Sequence, residues 1–204
     1  MVDPIVILGG GGHARSCIDV VETEGTYAIA GIVSPEGLPV MGYPHLGDDS
    51  NLIEIIDRYR NTLIGIGQIR SPHVRIALYD RLKSTGAFLP AIFSPKAYVS
   101  AHATAAEGTI VMHGAVVNAG ANVGCNCIVN SLALVEHDAI IDDHCHISTG
   151  ARINGGVHVG SGTFIGTGAV IHEGITIGSR CIVAAGSLVR DNLDSGSVYA
   201  SSKR

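Results

Sequence analysis

The chain has no tryptophan, and aromatic residues make up only 4% of its 204 residues. It also lacks a run of about 18 apolar residues, so we expect no membrane-spanning segment. Its first residues show neither the basic stretch nor the apolar stretch of a secretory signal, which predicts a cytoplasmic location. The net charge of −5 gives no support for a nucleic-acid-binding surface. An enzyme and a non-catalytic scaffold remain the two classes to distinguish.

Paired cysteines are also missing. The five cysteines are an odd number, without the regular spacing of a disulfide framework. Cys127, Cys145 and Cys181 fall at small interior positions of the repeat described next, where a free thiol packs as a small hydrophobic group. We therefore predict reduced cysteines that fill the core.

What the sequence does contain is a strict six-residue repeat. From Val99 to Val189 every sixth residue is Ile or Val, and Ala105 is the one exception. A period of six fits neither a helix nor the two-residue alternation of a flat strand. It is typical of a parallel β-helix, in which short strands and turns coil into a prism. Small residues and glycines recur at fixed offsets from the large ones, as a narrow interior and tight corners require.

Three six-residue units form one coil, so residues 18 apart stack about 4.8 Å from each other along the prism. Two of the three outward faces are then apolar. One carries Ile110, Ile128, His146, Phe164 and Ile182. The other carries Tyr98, Val116, Leu134, Arg152, Val170 and Leu188. Because a soluble monomer does not expose two such faces, we predict that both, including Ile110 and Ile128, are buried between the subunits of a homotrimer.

Residues 1–92 lack the six-residue repeat. A short apolar strand, Ile5–Leu8, leads into the glycine-rich segment Gly9–Ala14 and then into a helical pattern. Further strands and helices alternate up to residue 92, which predicts a small Rossmann-like parallel α/β domain. We place the boundary between this domain, residues 1–92, and the β-helix domain, residues 93–204.

The glycine-rich segment can bring backbone N–H groups to a phosphate at a helix N-terminus. A dinucleotide site also needs an acidic residue at the end of the second strand to hold the ribose. Here that strand ends at Val33 and Glu36 follows only later, which disfavours NAD. A nucleotide-linked substrate and a tight turn without a ligand both remain open interpretations.

Several histidines lie in the segment 135–147. His137 falls at a corner with small stacking neighbours, which suits a substrate-accessible general base, and either Glu136 or Asp138 could orient it. The N–H of Gly155, one coil above, is a candidate oxyanion donor. We expect His146 to project from its apolar face into the subunit interface, towards the neighbour's catalytic histidine.

A metal site is the rival interpretation of this segment. Asp142, Asp143, His144 and His146 are its candidate ligands, but they lie on different corners and faces of the predicted prism. We therefore expect no metal. Cys125 is the one exposed candidate for a nucleophile, and its corner is not that of the proposed base.

The chain resembles the hexapeptide-repeat acyltransferases, specifically the bacterial family of sialic acid O-acetyltransferases and nucleotide-amino-sugar N-acetyltransferases. The resemblance is carried by Gly9–His13, by Ile64–Gly67 followed by Arg75, by Ser94–Ala97 and by Val135–Asp138. It covers almost the whole chain and implies a left-handed parallel β-helix after the N-terminal domain. Two segments depart from the family pattern, residues 34–36 after the second strand and residues 198–203 near the end.

The resemblance implies an acetyl-CoA-dependent N-acetyltransferase that acts by direct transfer on a nucleotide-linked amino-deoxy-sugar, in surface polysaccharide or glycan biosynthesis. The implied catalytic residues are His137, Asp138, Glu136 and Gly155. The implied acetyl-CoA-binding residues are His146, Gly155, Ile165, Gly166 and Ala184. The implied sugar-nucleotide-binding residues are Gly9, Gly10, Gly11, Gly12, His13 and Gly67. An O-acetyltransferase for sialic acid or a related sugar and a non-catalytic trimeric β-helix scaffold remain as alternatives.

Overall fold

A computed structural model describes residues 2–201 of the chain. The N-terminal part is a four-stranded parallel sheet. Its elements are β1 Asp3–Leu8, α1 Gly12–Glu24, β2 Tyr27–Val33, β3 His45–Gly47, α2 Leu52–Tyr59, β4 Asn61–Ile64 and α3 His73–Ser84, with a short 3-10 helix at Asp49–Asn51. The predicted small parallel α/β fold is confirmed. The strands lie in the order β3-β2-β1-β4. Because they are parallel, the loop that follows the central strand β1 lies at the carboxyl edge of the sheet.

Helix α1 forms because its apolar residues recur on one face. Ala14, Cys17, Ile18 and Val21 are buried on that face, and the helix ends at Gly25, whose φ of 75° closes the last turn. Within residues 2–201, no helix combines the length and the apolar character needed to cross a bilayer.

The remainder is the predicted left-handed β-helix. Each strand is two residues long. Successive coils pair in parallel at a spacing of 18 residues, as Val111 does with Val129, except that Ile182 of the last pair meets Val198 after 16. The strands are β5 Ile92–Phe93, β6 Tyr98–Val99, β7 Thr104–Ala105, β8 Ile110–Val111, β9 Val116–Val117, β10 Asn122–Val123, β11 Ile128–Val129, β12 Leu134–Val135, β13 Ile140–Ile141, β14 His146–Ile147, β15 Arg152–Ile153, β16 His158–Val159, β17 Phe164–Ile165, β18 Val170–Ile171, β19 Thr176–Ile177, β20 Ile182–Val183, β21 Leu188–Val189 and β22 Val198–Tyr199. The domain boundary between residues 92 and 93 stays a prediction. Residues 202–204, which that prediction includes in the second domain, lie outside the residues that the structure describes.

The interior of the prism is a continuous stack of the predicted large and small residues. Val129, Ile147 and Ile165 are fully buried there, together with Cys127 and Cys145. Most corners are glycines with positive φ. Five corners instead hold side chains in the same left-handed conformation: Asn126, Leu132, Asp138, His144 and Arg180. This conformation is unfavourable for a residue with a Cβ. Three of the five side chains have polar or ring contacts there: Asn126 and Asp138 contact histidine rings, and His144 packs against Tyr79.

The prediction that Ile110 and Ile128 are buried between subunits is wrong. Both are fully buried in a cluster with Ile5, Ile7 and Cys17 of the chain's own N-terminal domain. The apolar stripe indicates that this face is covered, but a stripe carries no information about what covers it. The second apolar face does remain open, since Tyr98 is 59% exposed.

Polar contacts fix the two domains to each other. The buried guanidinium of Arg75 donates to the carbonyls of Ile64, Ile66 and Asn126 at 2.8 to 3.1 Å. It thereby ties the end of β4 to a corner of the β-helix without any carboxylate partner. This joint sets where the loop after β4 meets the coil, and that loop forms one wall of the site described below.

Candidate active site

His137 lies at the corner between β12 and β13, with a side chain that is 64% exposed. Its Nδ1 is 2.9 Å from Oδ2 of Asp138. That hydrogen bond raises the pKa of His137 above its ordinary value. Because Nδ1–H donates to the carboxylate, the neutral ring carries its lone pair on Nε2, which is the atom available as a base.

Glu136 has a different role from Asp138. Its Oε2 accepts from the backbone N–H of His137 at 3.1 Å and from Asn118 Nδ2 at 2.9 Å. Glu136 therefore holds the corner backbone, whereas Asp138 contacts the imidazole. Of the two carboxylates that sequence reasoning left open, Asp138 is the one placed to orient the ring.

Gly155 lies directly against the His137 ring. A Cβ added at Gly155 would be 2.6 Å from His137 Nε2, and Gly155 does not have a positive φ. The glycine is thus required by the proximity of the imidazole and not by the backbone conformation.

The Gly155 N–H is also available to a ligand. At Ala119 and Ser131 the corresponding N–H is bound by the side chain of the preceding asparagine, at 2.9 and 2.8 Å. Within residues 2–201 the Gly155 N–H has no backbone partner. An N–H without a backbone partner therefore belongs to the same residue that lies against the His137 ring.

A groove of about 820 Å³ runs between the N-terminal domain and the β14–β17–β20 face of the coil. It brings together two predicted sets of residues. From the acetyl-CoA set it is lined by His146, Gly166 and Ala184, and from the sugar-nucleotide set by Gly12, His13 and Gly67. The two sets were assigned to separate domains, and the structure places them on opposite walls of one cavity.

The expectation that His146 projects into the subunit interface, towards the neighbour's histidine, stays a prediction. His146 is only 6% exposed, because the loop after β4 covers it within the same chain. Its Nδ1 is 2.5 Å from the Gln68 carbonyl, and its Nε2 is 3.1 Å from Asn130 Nδ2. Burial lowers the pKa of His146 to about 4, so the ring is neutral. These two contacts engage both of its nitrogens.

Gln68 and Asn130 are site residues that sequence reasoning missed. The Gln68 side chain donates to the Gly162 carbonyl at 3.3 Å, while its Oε1 is buried without a partner. His13 Nε2 is likewise buried without a partner, and burial lowers the pKa of His13 to about 3. Both unpartnered atoms belong to side chains that line the groove, and a bound ligand is one partner that could satisfy them.

The remaining predicted residues lie elsewhere. The Ile165 side chain is fully buried in the interior stack, so the prediction that it binds the cofactor is wrong for this side chain. Its position in the six-residue repeat already directs it inward. Gly9 lines a second cavity, Gly10 lies near Ser34 and Glu36, and Gly11 faces open space.

One chain does not bring His137 and the groove together. His137 is at the corner between β12 and β13, whereas the groove follows the face of β14 and the next corner, at Ser148 and Thr149. On a triangular prism these are different corners. A site that uses both the base and the groove therefore needs a second copy of the chain.

The residues of the rival metal interpretation are dispersed. Asp142 Oδ1 is 3.0 Å from His158 Nε2, and Asp143 Oδ1 accepts from the Cys125 N–H at 2.7 Å. His144 instead packs its ring edge-on against Tyr79. The described residues 2–201 contain no group of three or more side chains placed to hold a metal ion. Burial raises the pKa of the Cys125 thiol, which makes it a poorer nucleophile.

Two family descriptions match this chain. Residues 4–82 match the PglD N-terminal domain, and residues 156–191 match the bacterial transferase hexapeptide with six repeats. No curated protein matches the chain in sequence.

Solved structures are similar over nearly the full length. A histidine-to-asparagine variant of perosamine N-acetyltransferase from Caulobacter crescentus, in complex with CoA and GDP-perosamine, is 32% identical, with a TM-score of 0.90 over 96% of this chain and 92% of that one. The acetyltransferase domain of PglB from Neisseria gonorrhoeae, in complex with acetyl coenzyme A, is 28% identical, with a TM-score of 0.90 over 96% of this chain and 95% of that one. WeeI from Acinetobacter baumannii, at 23% identity and a TM-score of 0.85 over 94% of this chain and 93% of that one, shares the fold.

Proposed function

Since the chain belongs to the family of hexapeptide-repeat acetyltransferases with a PglD-type N-terminal domain, we propose that it transfers an acetyl group from acetyl-CoA to the amine of a nucleotide-linked amino-deoxy-sugar. The observation that carries this proposal is the similarity, over 96% of the chain, to an N-acetyltransferase that binds both CoA and GDP-perosamine. The product is a building block for glycan or surface polysaccharide synthesis. The five free cysteines agree with a reducing, cytoplasmic setting.

In this proposal the groove holds acetyl-CoA. Its coil wall presents small residues over three coils, among them Ser148, Gly166 and Ala184, so an extended chain can lie close to the backbone. The neutral ring of His13 adds an unpartnered Nε2 without charge, whereas both ring nitrogens of His146 are already bonded within the chain. The N-terminal wall, at Gly12 and Gly67, lets the sugar approach the same cavity from the glycine-rich loop.

His137 acts as the general base. Its Nε2 accepts the proton of the attacking amine while Asp138 holds the Nδ1–H and stabilises the imidazolium that forms. The Gly155 N–H donates to the acetyl carbonyl oxygen as that oxygen gains charge. The amine attacks the acetyl carbonyl directly, and the thiolate of CoA leaves, so no residue of the enzyme needs to be acylated.

The active form is a homotrimer, in which His137 of one protomer faces the groove of its neighbour. The open apolar face supports this assembly, since Tyr98 on that face is 59% exposed. Such a patch on a soluble protein marks an interface. Light scattering at micromolar concentration measures the assembly directly, and a stable monomer would contradict the shared site.

A product assay tests the function. The purified protein is incubated with acetyl-CoA and a panel of amino-sugar nucleotides, matched hydroxy-sugar nucleotides and free sialic acid, and mass spectrometry identifies the products. We expect one acetyl group on an amino-sugar nucleotide and none on its hydroxy counterpart. Acetylation of a free sugar would favour the O-acetyltransferase alternative, and no turnover with any member would favour the scaffold.

Replacing Asp138 with asparagine is expected to shift the pH dependence of kcat. In the native protein the hydrogen bond to Asp138 raises the pKa of His137, so the neutral base is lost as the pH falls through that raised value. Without the carboxylate the pKa returns towards about 6.5, and the acidic limb moves to lower pH while the maximal rate falls. Glu173→Gln is the matched control, because Glu173 makes the same kind of contact to His172 at 3.2 Å. An unmoved limb in Asp138→Asn would contradict the assignment.

Replacing Gly11 with valine is expected to raise the KM for the sugar nucleotide and leave that for acetyl-CoA unchanged. A Cβ at Gly11 meets no atom within 4 Å, so the fold tolerates the side chain. It would, however, occupy the space before helix α1 where the N–H groups attract phosphate. Steady-state kinetics with each substrate varied separately measures both constants. If both rise together, the loop contributes to the CoA site as well.

A further inference from the structure

A second cavity, of about 370 Å³, lies at the carboxyl edge of the N-terminal sheet. Leu8 and Gly9 at the end of β1, Val33 at the end of β2 and Ile66 after β4 form its floor. One face of α3 forms its wall. This is the crevice where parallel α/β sheets bind ligands, and the walls are almost entirely apolar.

The mouth of this cavity carries one pair of opposite charges. Arg81 Nη2 donates to the Asp49 carbonyl at 2.5 Å, and Arg81 Nη1 is 3.6 Å from Asp49 Oδ2. The two side chains are 43% and 70% exposed. The pair therefore keeps donors and acceptors available at the rim of an apolar slot.

The glycine-rich loop separates this cavity from the acetyl-CoA groove. Gly9 lines the cavity, whereas Gly12 and His13 line the groove. Beside the loop, Glu36 Oε2 would be 3.4 Å from a Cβ at Gly10, and the Ser34 hydroxyl is buried without a partner. Glu36 comes later in the sequence than the acidic residue of a dinucleotide site. Its carboxylate is nevertheless folded back onto the glycine-rich loop.

These positions form a linear path. A sugar in the groove, a diphosphate at the N-terminus of α1 and a ribose near Glu36 leave the nucleobase in the apolar cavity. We propose that Arg81 and Asp49 determine which nucleobase the enzyme accepts, and that the base is guanine. This inference rests on the proposed function, because it requires a nucleotide-linked acceptor.

The hydrogen-bonding edges of the bases favour guanine. Guanine presents the acceptors O6 and N7 to an arginine and, next to O6, the donors N1–H and N2–H to a carboxylate. Uracil and thymine present a single N3–H between two carbonyl oxygens, so a carboxylate at that edge meets a repelling lone pair. An adjacent arginine and aspartate therefore match the order of groups on guanine.

Binding of nucleoside diphosphates to the full-length protein tests the proposal. Isothermal titration calorimetry with GDP, UDP and dTDP gives the three Kd values for the native protein, for Arg81→Gln and for Asp49→Asn. We expect GDP to bind most tightly to the native protein, and each variant to lose roughly tenfold or more of that preference. Arg58→Gln, an exposed arginine on α2 outside the cavity, is the matched control and should leave the preference unchanged.

Two further results separate the proposal from its premise. Ala77→Phe, which fills the cavity from α3, should weaken all three nucleotides while the Kd for acetyl-CoA stays constant. A native protein that prefers UDP or dTDP, or an Arg81→Gln variant with an unchanged preference, would overturn the assignment of the base. Binding of acetyl-CoA with no binding of any nucleotide would instead contradict the proposed acceptor.

Discussion

Replacing His137 with alanine is expected to lower kcat by about 10²- to 10⁴-fold, the usual contribution of a general base. The Nε2 of His137 is the free base at an exposed corner, and Asp138 fixes the ring from the other side at 2.9 Å. Because the side chain is 64% exposed, its removal leaves no cavity and should not change the fold. Single-turnover kinetics with the amino-sugar nucleotide identified in the product assay measures the loss. The Kd for acetyl-CoA should change little, since the proposed role of His137 is to accept a proton and every residue that lines the groove is unchanged.

His172→Ala is the matched control for this variant. His172 is also an exposed histidine, with its Nδ1 3.2 Å from the adjacent Glu173, on the same edge of the prism. Its removal should leave kcat near the native value. Near-native turnover by the His137 variant would show that the amine loses its proton without this residue.

Replacing Gly155 with alanine is expected to lower kcat by about 10²-fold or more, by displacing the base. The added methyl group would be 2.6 Å from His137 Nε2, far inside van der Waals contact, so the imidazole must move away. The backbone itself accepts the change, because Gly155 has no positive φ, and alanine already occupies the equivalent position at Ala119. Circular dichroism and thermal unfolding should therefore match the native protein.

A double-mutant cycle separates two explanations of that loss. If the methyl group acts by displacing the imidazole, Gly155→Ala should have little further effect in a His137→Ala background. If it acts by blocking the free N–H from the carbonyl oxygen, the two losses should multiply. A single Gly155→Ala variant with native kcat would contradict both roles.

The β-helix could be predicted in detail because its geometry is periodic. Each coil repeats after 18 residues, so the stacking of Gly155 above His137 follows from counting. The identity of the interior residues, including the fully buried Ile165, follows from the same count. The predicted strand Ile5–Leu8 of the N-terminal domain ends where β1 ends, at Leu8. Strand β3, His45–Gly47, was missed because three residues are too few for an alternation to show.

The contact between His137 and Asp138 was predictable for a second reason. His137 and Asp138 are neighbours in the chain, so their contact requires only a corner of known conformation. The groove offered no such local signal. His146 meets Gln68 across 78 positions of sequence, and Gln68 lies in a loop without a recurring pattern. The cover over Ile110 and Ile128 was misassigned to a second subunit for the same reason.

The sequence by itself thus determined the coil, its interior, the α/β character of the first domain and the pair His137–Asp138, because each depends on short or strictly repeated spacings. Only the tertiary structure decided that the N-terminal domain lies on one coil face, that Gly12 and His146 line one cavity, and that Glu36 returns to the glycine-rich loop. These contacts depend on how Arg75 and the loop after β4 dock the two domains. Docking is set by complementary surfaces far apart in the chain, and no period or local motif encodes it.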